Sequence, residues 1–419
     1  MSELARALLR DLARASEHLL DEGFASRANS TASASGVRGP LGSTLRLSET
    51  LQRTVPRALV ELERLPATDR ETVVCVREPR RATPSRRPYD YAEHAGALAP
   101  VVWESRLPEL ELPTAHLAWL LHGTNLLLER LAWHRVMFER SHAEAVRFRE
   151  GTAFGAEELA RLDENRAALE DADRAAVELR SRLHRHAAVP LRPSPRLPYP
   201  FPNAASWRTL RPALRALADP SVSLPTLVAD LHDPEAAGVD LAYLYQRWCG
   251  WKLVQALEQL GVRPTTDPIP PLLLAGAIEF RSPTHAVTLL CEPRLASRKR
   301  SLLGLFVTHG EASPDLVLIS RSEAGHRVYV LDPTLSRSPE IHREKAKYLD
   351  VLSVHRSVVV AGVHFPSTGP DRAWAAAPIQ GRACQSADWR GTHGVVPMDP
   401  LGFEEGALRG WLGDLLGGG

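Results

Sequence analysis

The sequence predicts an α+β protein in which a helical N-terminal region precedes a domain built on a mixed β-sheet. Leucines recur mostly at helical spacing from about Thr114 to Glu150, and a second helical pattern runs from about Ala156 to His186. Beyond a proline-rich stretch from Pro190 to Pro202, the pattern changes to one helix, three strands, a helix and a further strand. A sheet must bury its apolar faces against other elements, and helices before and between these strands can cover them. The pattern therefore favours a mixed sheet flanked by helices.

The N-terminal region begins with a pattern that is typical of an amphipathic helix. Met1 to Leu20 mixes apolar and charged residues, unlike a signal peptide. Residues 23–43 are rich in Ser, Ala and Gly and predict a loop or flexible linker. A short strand is predicted at Glu71 to Val76. The arginines and tyrosines between Arg77 and Tyr91 either hold a nucleic-acid backbone or form a solvated loop, and the solvated loop is favoured.

The two long helical patterns are separated by Gly151 and Gly155, which predicts an antiparallel helical hairpin. A short helix is predicted around Ser206 to Leu217. The predicted regions are an N-terminal helix and linker-rich region at 1–100, the long helical hairpin at 101–189, a proline-rich connector at 190–235 and the sheet domain at 236–419.

The net charge, the cysteines and the apolar runs limit the classes of protein to which the chain can belong. Lys and Arg number 51 and Asp and Glu number 50, so the formal net charge is +1. A protein that grips duplex DNA alone usually has a basic excess, so any contact with nucleic acid is expected to be local or shared with a partner. The four cysteines are far apart and predict ordinary thiols. No apolar run approaches the roughly 18–20 residues that span a bilayer, and a cytoplasmic location is expected.

The sheet domain is predicted to open on a helix from Leu241 to Leu260, with Asp240 as its N-cap and Gly261 just past its end. The later elements are predicted in this order: a strand at Ala286 to Cys291, a hairpin of strands at Leu316 to Ser320 and Arg327 to Leu331, a helix from Ser338 to about Leu352 and a buried strand at Ser357 to Val363.

Two aspartates flank the predicted hairpin. Asp315 immediately precedes one strand and Asp332 ends the other, so both carboxylates are expected within reach of one ion. Two carboxylates with a backbone carbonyl suit Mg²⁺, which prefers oxygen ligands and keeps several waters. Such an ion can generate hydroxide and stabilise the charge on a phosphate, commonly with a lysine nearby. Taken singly, each aspartate is an ordinary turn residue.

The ordered residues resemble a known family. Pro314-Asp315 followed by "VYVLD", which ends at Asp332, resembles the PD-(D/E)XK nuclease signature. The helix "LYQRWCGWKLVQALEQLG" resembles the "LYE-x-W-C-x-x-x-L" helix of McrC-like and LlaJI-type restriction proteins, which are encoded beside McrB-like motors. Tyr348 and Asp350, and the segment "HGVVPMDP", also resemble that family. The resemblance covers about Val101 to Leu415.

The resemblance implies four active-site positions, of which two are changed in this chain. The metal-binding aspartates fall on Asp315 and Asp332, the helix glutamate falls on Gln246, and the lysine falls on Thr334. The candidates for a replacement cation are Lys345 and Lys347 on the next helix. The alternative is that both lysines lie on an exposed helix face.

Two functions are therefore expected. The favoured one is a restriction or anti-phage defence subunit whose degenerate nuclease domain acts on DNA together with an AAA+ or helicase-type motor and has weak or no catalysis alone. The alternative is an active Mg²⁺-dependent DNA endonuclease with a migrated lysine, Lys345 or Lys347.

Overall fold

The structure is a computed structural model, and it describes these residues: 2–19, 39–64, 71–74, 83–84, 91–94, 96–101, 103–106, 114–147, 153, 155–187, 190–199, 201–219, 224–232, 240–296, 305–307, 311–322, 325–338, 340–354 and 369–417.

The helices of the described chain have the following bounds: α1 (Glu3–Leu19), α2 (Gly39–Arg64), α3 (Thr114–Arg147), α4 (Ala156–Arg185), α5 (Ala205–Ala218), α6 (Leu224–His232), α7 (Leu241–Gln259), α8 (Ile269–Leu274), α9 (Ile341–Lys345), α10 (Tyr348–Val351) and α11 (Glu405–Leu415).

The strands have the following bounds: β1 (Glu71–Val74), β2 (Thr83–Pro84), β3 (Tyr91–His94), β4 (Ala97–Pro100), β5 (Trp103–Arg106), β6 (Arg263–Pro264), β7 (Ala277–Arg281), β8 (Ala286–Cys291), β9 (Leu295–Ala296), β10 (Leu305–Val307), β11 (Glu311–Ala312), β12 (Leu316–Ser322), β13 (Gly325–Pro333), β14 (Leu352–Val354), β15 (Arg372–Ala377), β16 (Gln385–Ser386) and β17 (His393–Pro397).

The chain divides into two compact units. The sheet unit comprises Met1–Arg46, Arg130–Ala172 and Asp219–Gly419, and the second unit comprises Leu47–Glu129 and Asp173–Ala218. The predicted boundaries at residues 100, 189 and 235 do not coincide with this division. The reason is that N-terminal and central helices contribute to the core around the sheet.

Helix α1 shows how the sheet unit gathers distant segments. Its buried leucines, among them Leu8 and Leu12, belong to the same core as α7. Asp11 of α1 accepts a hydrogen bond from Trp248 Nε1 at 2.9 Å and pairs with Lys252 Nζ at 3.1 Å. The predicted amphipathic helix is confirmed, and it is part of the sheet unit's core.

The second unit is organised around Trp207 of α5. The Trp207 indole N–H donates to the carbonyl of Ala58 at 3.2 Å, and its ring stacks with Trp119 at a centroid distance of 6.1 Å. The short helix predicted at Ser206 to Leu217 is confirmed as α5. The prediction of a linker up to residue 43 is wrong for its last five residues, because α2 begins at Gly39 and a proline is tolerated in a helix's first turn.

The sheet unit is built on a mixed sheet of eight strands in the order β16-β17-β15-β13-β12-β8-β7-β6. Strands β6, β7, β8, β12 and β13 pair antiparallel, whereas β13, β15 and β17 pair parallel. The register places Leu316 of β12 opposite both Cys291 of β8 and Leu331 of β13. The end of β8, the start of β12 and the end of β13 therefore lie at one edge of the sheet.

Both faces of the central strands are buried. Leu316 and Leu318 of β12 pack in the core that contains α1, α7 and α11, whereas Val317 and Ile319 pack in a separate core with β10, β14 and α10. Apolar side chains on successive residues are typical of strands covered on both faces. A slip of one residue would exchange the side chains of the two cores, and the close packing of both cores opposes it.

The predicted helix at the start of the sheet domain is confirmed as α7. Asp240 caps it, since its Oδ1 accepts hydrogen bonds from the N–H groups of Ala242 at 2.9 Å and Tyr243 at 3.4 Å. Gly261 follows with φ of +80°. The strand at Ala286 to Cys291 and the hairpin of β12 and β13 are also confirmed.

The prediction of one helix from Ser338 to about Leu352 is wrong. The segment forms two short helices, α9 and α10, and Leu352–Val354 is a strand that pairs with β10. Pairing with a strand distant in sequence has overridden the local helical pattern. The strand predicted at Ser357 to Val363 and the arginines from Arg77 to Arg87, with Tyr89, lie outside the described residues.

The parallel neighbour of β13 is β15, which the sequence analysis did not predict.

Among the described helices, none is long and apolar enough to cross a membrane.

Two glycines of the sheet unit differ in the space around them, so substituting each one tests the packing of the unit. A Cβ on Gly394 of β17 would lie 2.3 Å from the carbonyl oxygen of Gln385 and 2.8 Å from the ring of Trp374, whereas a Cβ on Gly410 of α11 meets nothing within 4 Å. We expect Gly394→Ala to lower the free energy of unfolding by roughly 1–3 kcal/mol and Gly410→Ala to raise it by about 0.5–1 kcal/mol. Urea denaturation measures both, and equal effects would contradict this packing.

Candidate functional site

Three acidic residues meet at one edge of the sheet. Asp315 precedes β12, Asp332 lies near the end of β13 and Glu292 follows β8. The N–H of Asp315 donates to Asp332 Oδ1 at 3.1 Å, and the N–H of Glu292 donates to the carbonyl of Asp315 at 2.7 Å. The strand register therefore brings all three acids to one place.

Lys345, at the end of α9, is directed towards these acids. Its Nζ lies 2.8 Å from Asp332 Oδ2, and the two side chains are only 7% and 1% exposed. Removing one partner of a buried ion pair leaves an uncompensated charge, so the two side chains depend on each other. Of the two lysines considered in the sequence, Lys345 is the one that reaches the predicted site.

Lys347 takes a different direction. It is exposed, and its Nζ lies 5.1 Å from the ring centroid of Tyr348. Lys345 ends α9 whereas Lys347 directly precedes α10, so the break between the two helices separates the directions of the two side chains.

A pocket with an open mouth is lined by Asp315, Glu292 and Lys345, whereas Asp332 is not part of its lining. Its acidic side is lined by Asp240, Glu292, Asp315, Gln246, Thr334 and Lys345, and its other wall is lined by Trp133, His134, Met137 and Phe138 of α3 with Pro40 and Leu41 of α2. The pocket lies entirely within the sheet unit.

Gln246 and Thr334 occupy the two positions where the family resemblance implies a glutamate and a lysine. Gln246 is buried, and its Nε2 has no hydrogen-bond partner among the described residues. Thr334 is also buried, and its Oγ1 accepts a hydrogen bond from the N–H of Ser336 at 3.1 Å. Both therefore line the pocket without supplying a charge.

Burial and the neighbouring Asp332 carboxylate raise the pKa of Asp315 well above its ordinary value. Lys345 acts in the opposite direction, whereas Glu292 raises the pKa further. The cause is a crowding of negative charge in a site with little water. The Asp315 carboxyl therefore keeps its proton to a higher pH than an exposed aspartate does.

His134 contributes no charge to the opposite wall. Burial, aided by the nearby guanidinium groups of Arg130 and Arg294, lowers the pKa of His134 to about 3. The neutral ring lies with its Nε2 2.9 Å from Thr44 Oγ1.

The sequence analysis missed Glu292 and its partner Arg247. Arg247 Nη2 lies 2.9 Å from Glu292 Oε1, and both side chains are almost fully buried. The feature that could have revealed Glu292 is its position directly after a predicted strand, in common with the aspartates that flank the hairpin. Only the pairing of β8 with β12 shows that these strand ends are neighbours.

The acidic edge suits a hard divalent cation. In the described parts of the chain, no group of three or more His, Cys, Asp or Glu side chains stands ready to hold a metal ion. Asp315 and Asp332 supply two carboxylates, and Mg²⁺ is usually bound by one or two carboxylates with waters. Two buried acids face one lysine, so a further cation would relieve their repulsion.

Comparison of the chain with protein-family models, with curated proteins and with solved structures finds no match.

We expect Asp315→Asn to stabilise the metal-free protein. A folded state that raises the pKa of an acid binds more protons than the unfolded state, so stability falls as pH rises above the unfolded-state pKa. An asparagine removes this loss, and Tm at about pH 8 with a chelator should rise by about 1–2 °C for each kcal/mol regained. At about pH 5 the gain should be smaller.

The matched control for this prediction is Asp350→Asn on α10, because Asp350 is exposed. Its Tm should stay at the wild-type value at either pH. A lower Tm for Asp315→Asn at the higher pH would contradict the charge crowding described here.

Proposed function

We propose that this chain is a Mg²⁺-dependent nuclease in which Lys345, on the helix after the second acid, supplies the cation that Thr334 does not. The observation that carries the proposal is the 2.8 Å approach of Lys345 Nζ to Asp332 Oδ2, because Lys345 lines the same pocket as Asp315. This arrangement favours the second of the two functions expected from the sequence.

Each residue would have a defined task. Asp315 and Asp332 would hold the cation, and when bound, Mg²⁺ would activate water and neutralise charge on a phosphodiester. Lys345 would place its ammonium beside the scissile phosphate and stabilise the charge that develops on its oxygens. Thr334 and Gln246 would shape the pocket without adding charge.

DNA as the substrate and a motor protein as the partner rest on the family resemblance. A net charge of +1 supports a partner, because the chain lacks the basic excess that non-specific DNA binding usually requires. The same resemblance implies restriction or anti-phage defence, and the proposed cytoplasmic location rests on the sequence pattern of the chain. The non-catalytic alternative keeps its support from Gln246 and Thr334, which depart from the family's active-site pattern.

Cleavage assays test the proposal. The purified chain would be incubated with single-stranded, linear duplex and plasmid DNA in Mg²⁺ or Mn²⁺, alone and with motor proteins encoded nearby. We expect cleavage that Asp315→Ala abolishes. Lys345→Met should lower the rate by roughly 10²–10³-fold, the usual effect of removing one group that stabilises a charged transition state.

The control is Lys347→Met, which removes the neighbouring exposed lysine and should leave the rate within about twofold, because surface substitutions have small effects. Lys345→Met leaves Asp332 buried without its ion-pair partner, so a double variant, Asp332→Asn with Lys345→Met, verifies that the fold tolerates loss of the pair. Cleavage that survives Lys345→Met unchanged, or that Lys347→Met removes, would sink the proposed role of Lys345.

A further inference from the structure

Glu292 has a backbone conformation that side chains rarely adopt. Its φ is +49°, in the left-handed region that favours glycine. Strained non-glycine residues of this kind concentrate at functional sites, where surrounding contacts hold them in place. At Glu292, the turn out of β8 directs the residue to the acidic edge of the sheet.

Arg247 and Asp315 hold Glu292 in that position. Arg247 Nη2 pairs with Glu292 Oε1 at 2.9 Å, and the guanidinium lies 4.8 Å from the ring centroid of Tyr243. The N–H of Glu292 donates to the carbonyl of Asp315 at 2.7 Å. The residue is thus fixed both to α7 and to the backbone of a proposed metal-binding aspartate.

One oxygen of the Glu292 carboxylate takes no part in the ion pair with Arg247. Its Oε2 is buried and has no hydrogen-bond partner among the described residues, and Glu292 lines the same pocket as Asp315 and Lys345. Arg247 Nε and Nη1 likewise have no hydrogen-bond partner among those residues. The ion pair therefore leaves polar atoms of both side chains without a hydrogen bond. A buried acceptor without a donor is unfavourable, which points to a species that enters the pocket.

We infer that Glu292 is a third acidic group of the site, whose Oε2 accepts a hydrogen bond from water bound to the cation at Asp315 and Asp332. This inference rests on the proposed function. It makes Glu292 a positioning residue, since the three acids do not converge closely enough to bind one ion together. It also supplies, from the end of β8, a carboxylate that Gln246 does not supply from α7.

The negative charge of Glu292 suits a role through water. Mg²⁺ retains several of its waters in protein sites, and each bound water offers hydrogens to acceptors around it. Groups in this outer position orient the ligands, and their loss typically weakens metal binding by about 10–100-fold.

The test is the affinity of the full chain for Mn²⁺, measured by calorimetry and by the electron paramagnetic resonance of free Mn²⁺. Neither readout needs catalysis. We expect Glu292→Gln to weaken Mn²⁺ binding by about tenfold or more. Glu279→Gln is the matched control, because Glu279 is an exposed glutamate on β7 of the same sheet and should bind Mn²⁺ like the wild type.

Folding is separated from metal binding by a second variant. Arg247→Met with Glu292→Gln removes the buried ion pair without leaving one charge alone. This double variant should fold and still bind Mn²⁺ about tenfold more weakly than wild type. A variant that lost stability while keeping wild-type Mn²⁺ affinity would show a purely structural ion pair and overturn the inference.

The outcomes distinguish the two proposals. Equal Mn²⁺ affinities for wild type and both Glu292 variants overturn the role of Glu292 and leave the proposed nuclease standing. If the wild type binds no Mn²⁺ at millimolar concentration, the proposed function itself fails, and the inference that rests on it falls too.

Discussion

The buried pair of Asp332 and Lys345 is the interaction on which the candidate site depends. Asp315 and Asp332 are both buried, and two like charges in a site with little water repel one another strongly. Lys345 lowers that repulsion from 2.8 Å away. Its position follows from the short helix α9, which packs against β15 and β17 and ends at the edge where the acids lie. Without this lysine, the site would hold negative charge with no cation of its own beside the two aspartates.

The geometry of the acids is set by the core of the sheet unit. Leu316 lies opposite Cys291 on one side and Leu331 on the other, so the residues just beyond these positions, Asp315, Glu292 and Asp332, come to the same edge. Because both faces of β12 are buried, a shift of register by one residue would move each side chain into the other core and disrupt the packing of both. The apolar packing of the strands therefore determines which carboxylates meet.

Local patterns predicted the parts of the fold that local interactions decide. Helix α7, with its Asp240 cap, and the hairpin of β12 and β13 were predicted, and the closeness of Asp315 and Asp332 follows from that hairpin. Long-range pairing decided the rest. Strand β15 has the alanine-rich sequence "RAWAAA", which carries no strand propensity, and it forms because β13 and β17 flank it. The choice between Lys345 and Lys347 depended on how α9 packs, which the residues around them do not reveal.

The charges around the pocket support the proposal that a cation would fit it. Asp240, Glu292, Asp315 and Lys345 line the pocket, Asp332 pairs with Lys345 and Arg247 pairs with Glu292, whereas His134 is neutral at physiological pH. Burial is the main cause that raises the pKa of Asp315 and of Asp240, and a neighbouring carboxylate raises each further. A divalent cation held by Asp315 and Asp332 would displace the Asp315 proton, so it would bind more tightly as the pH rises.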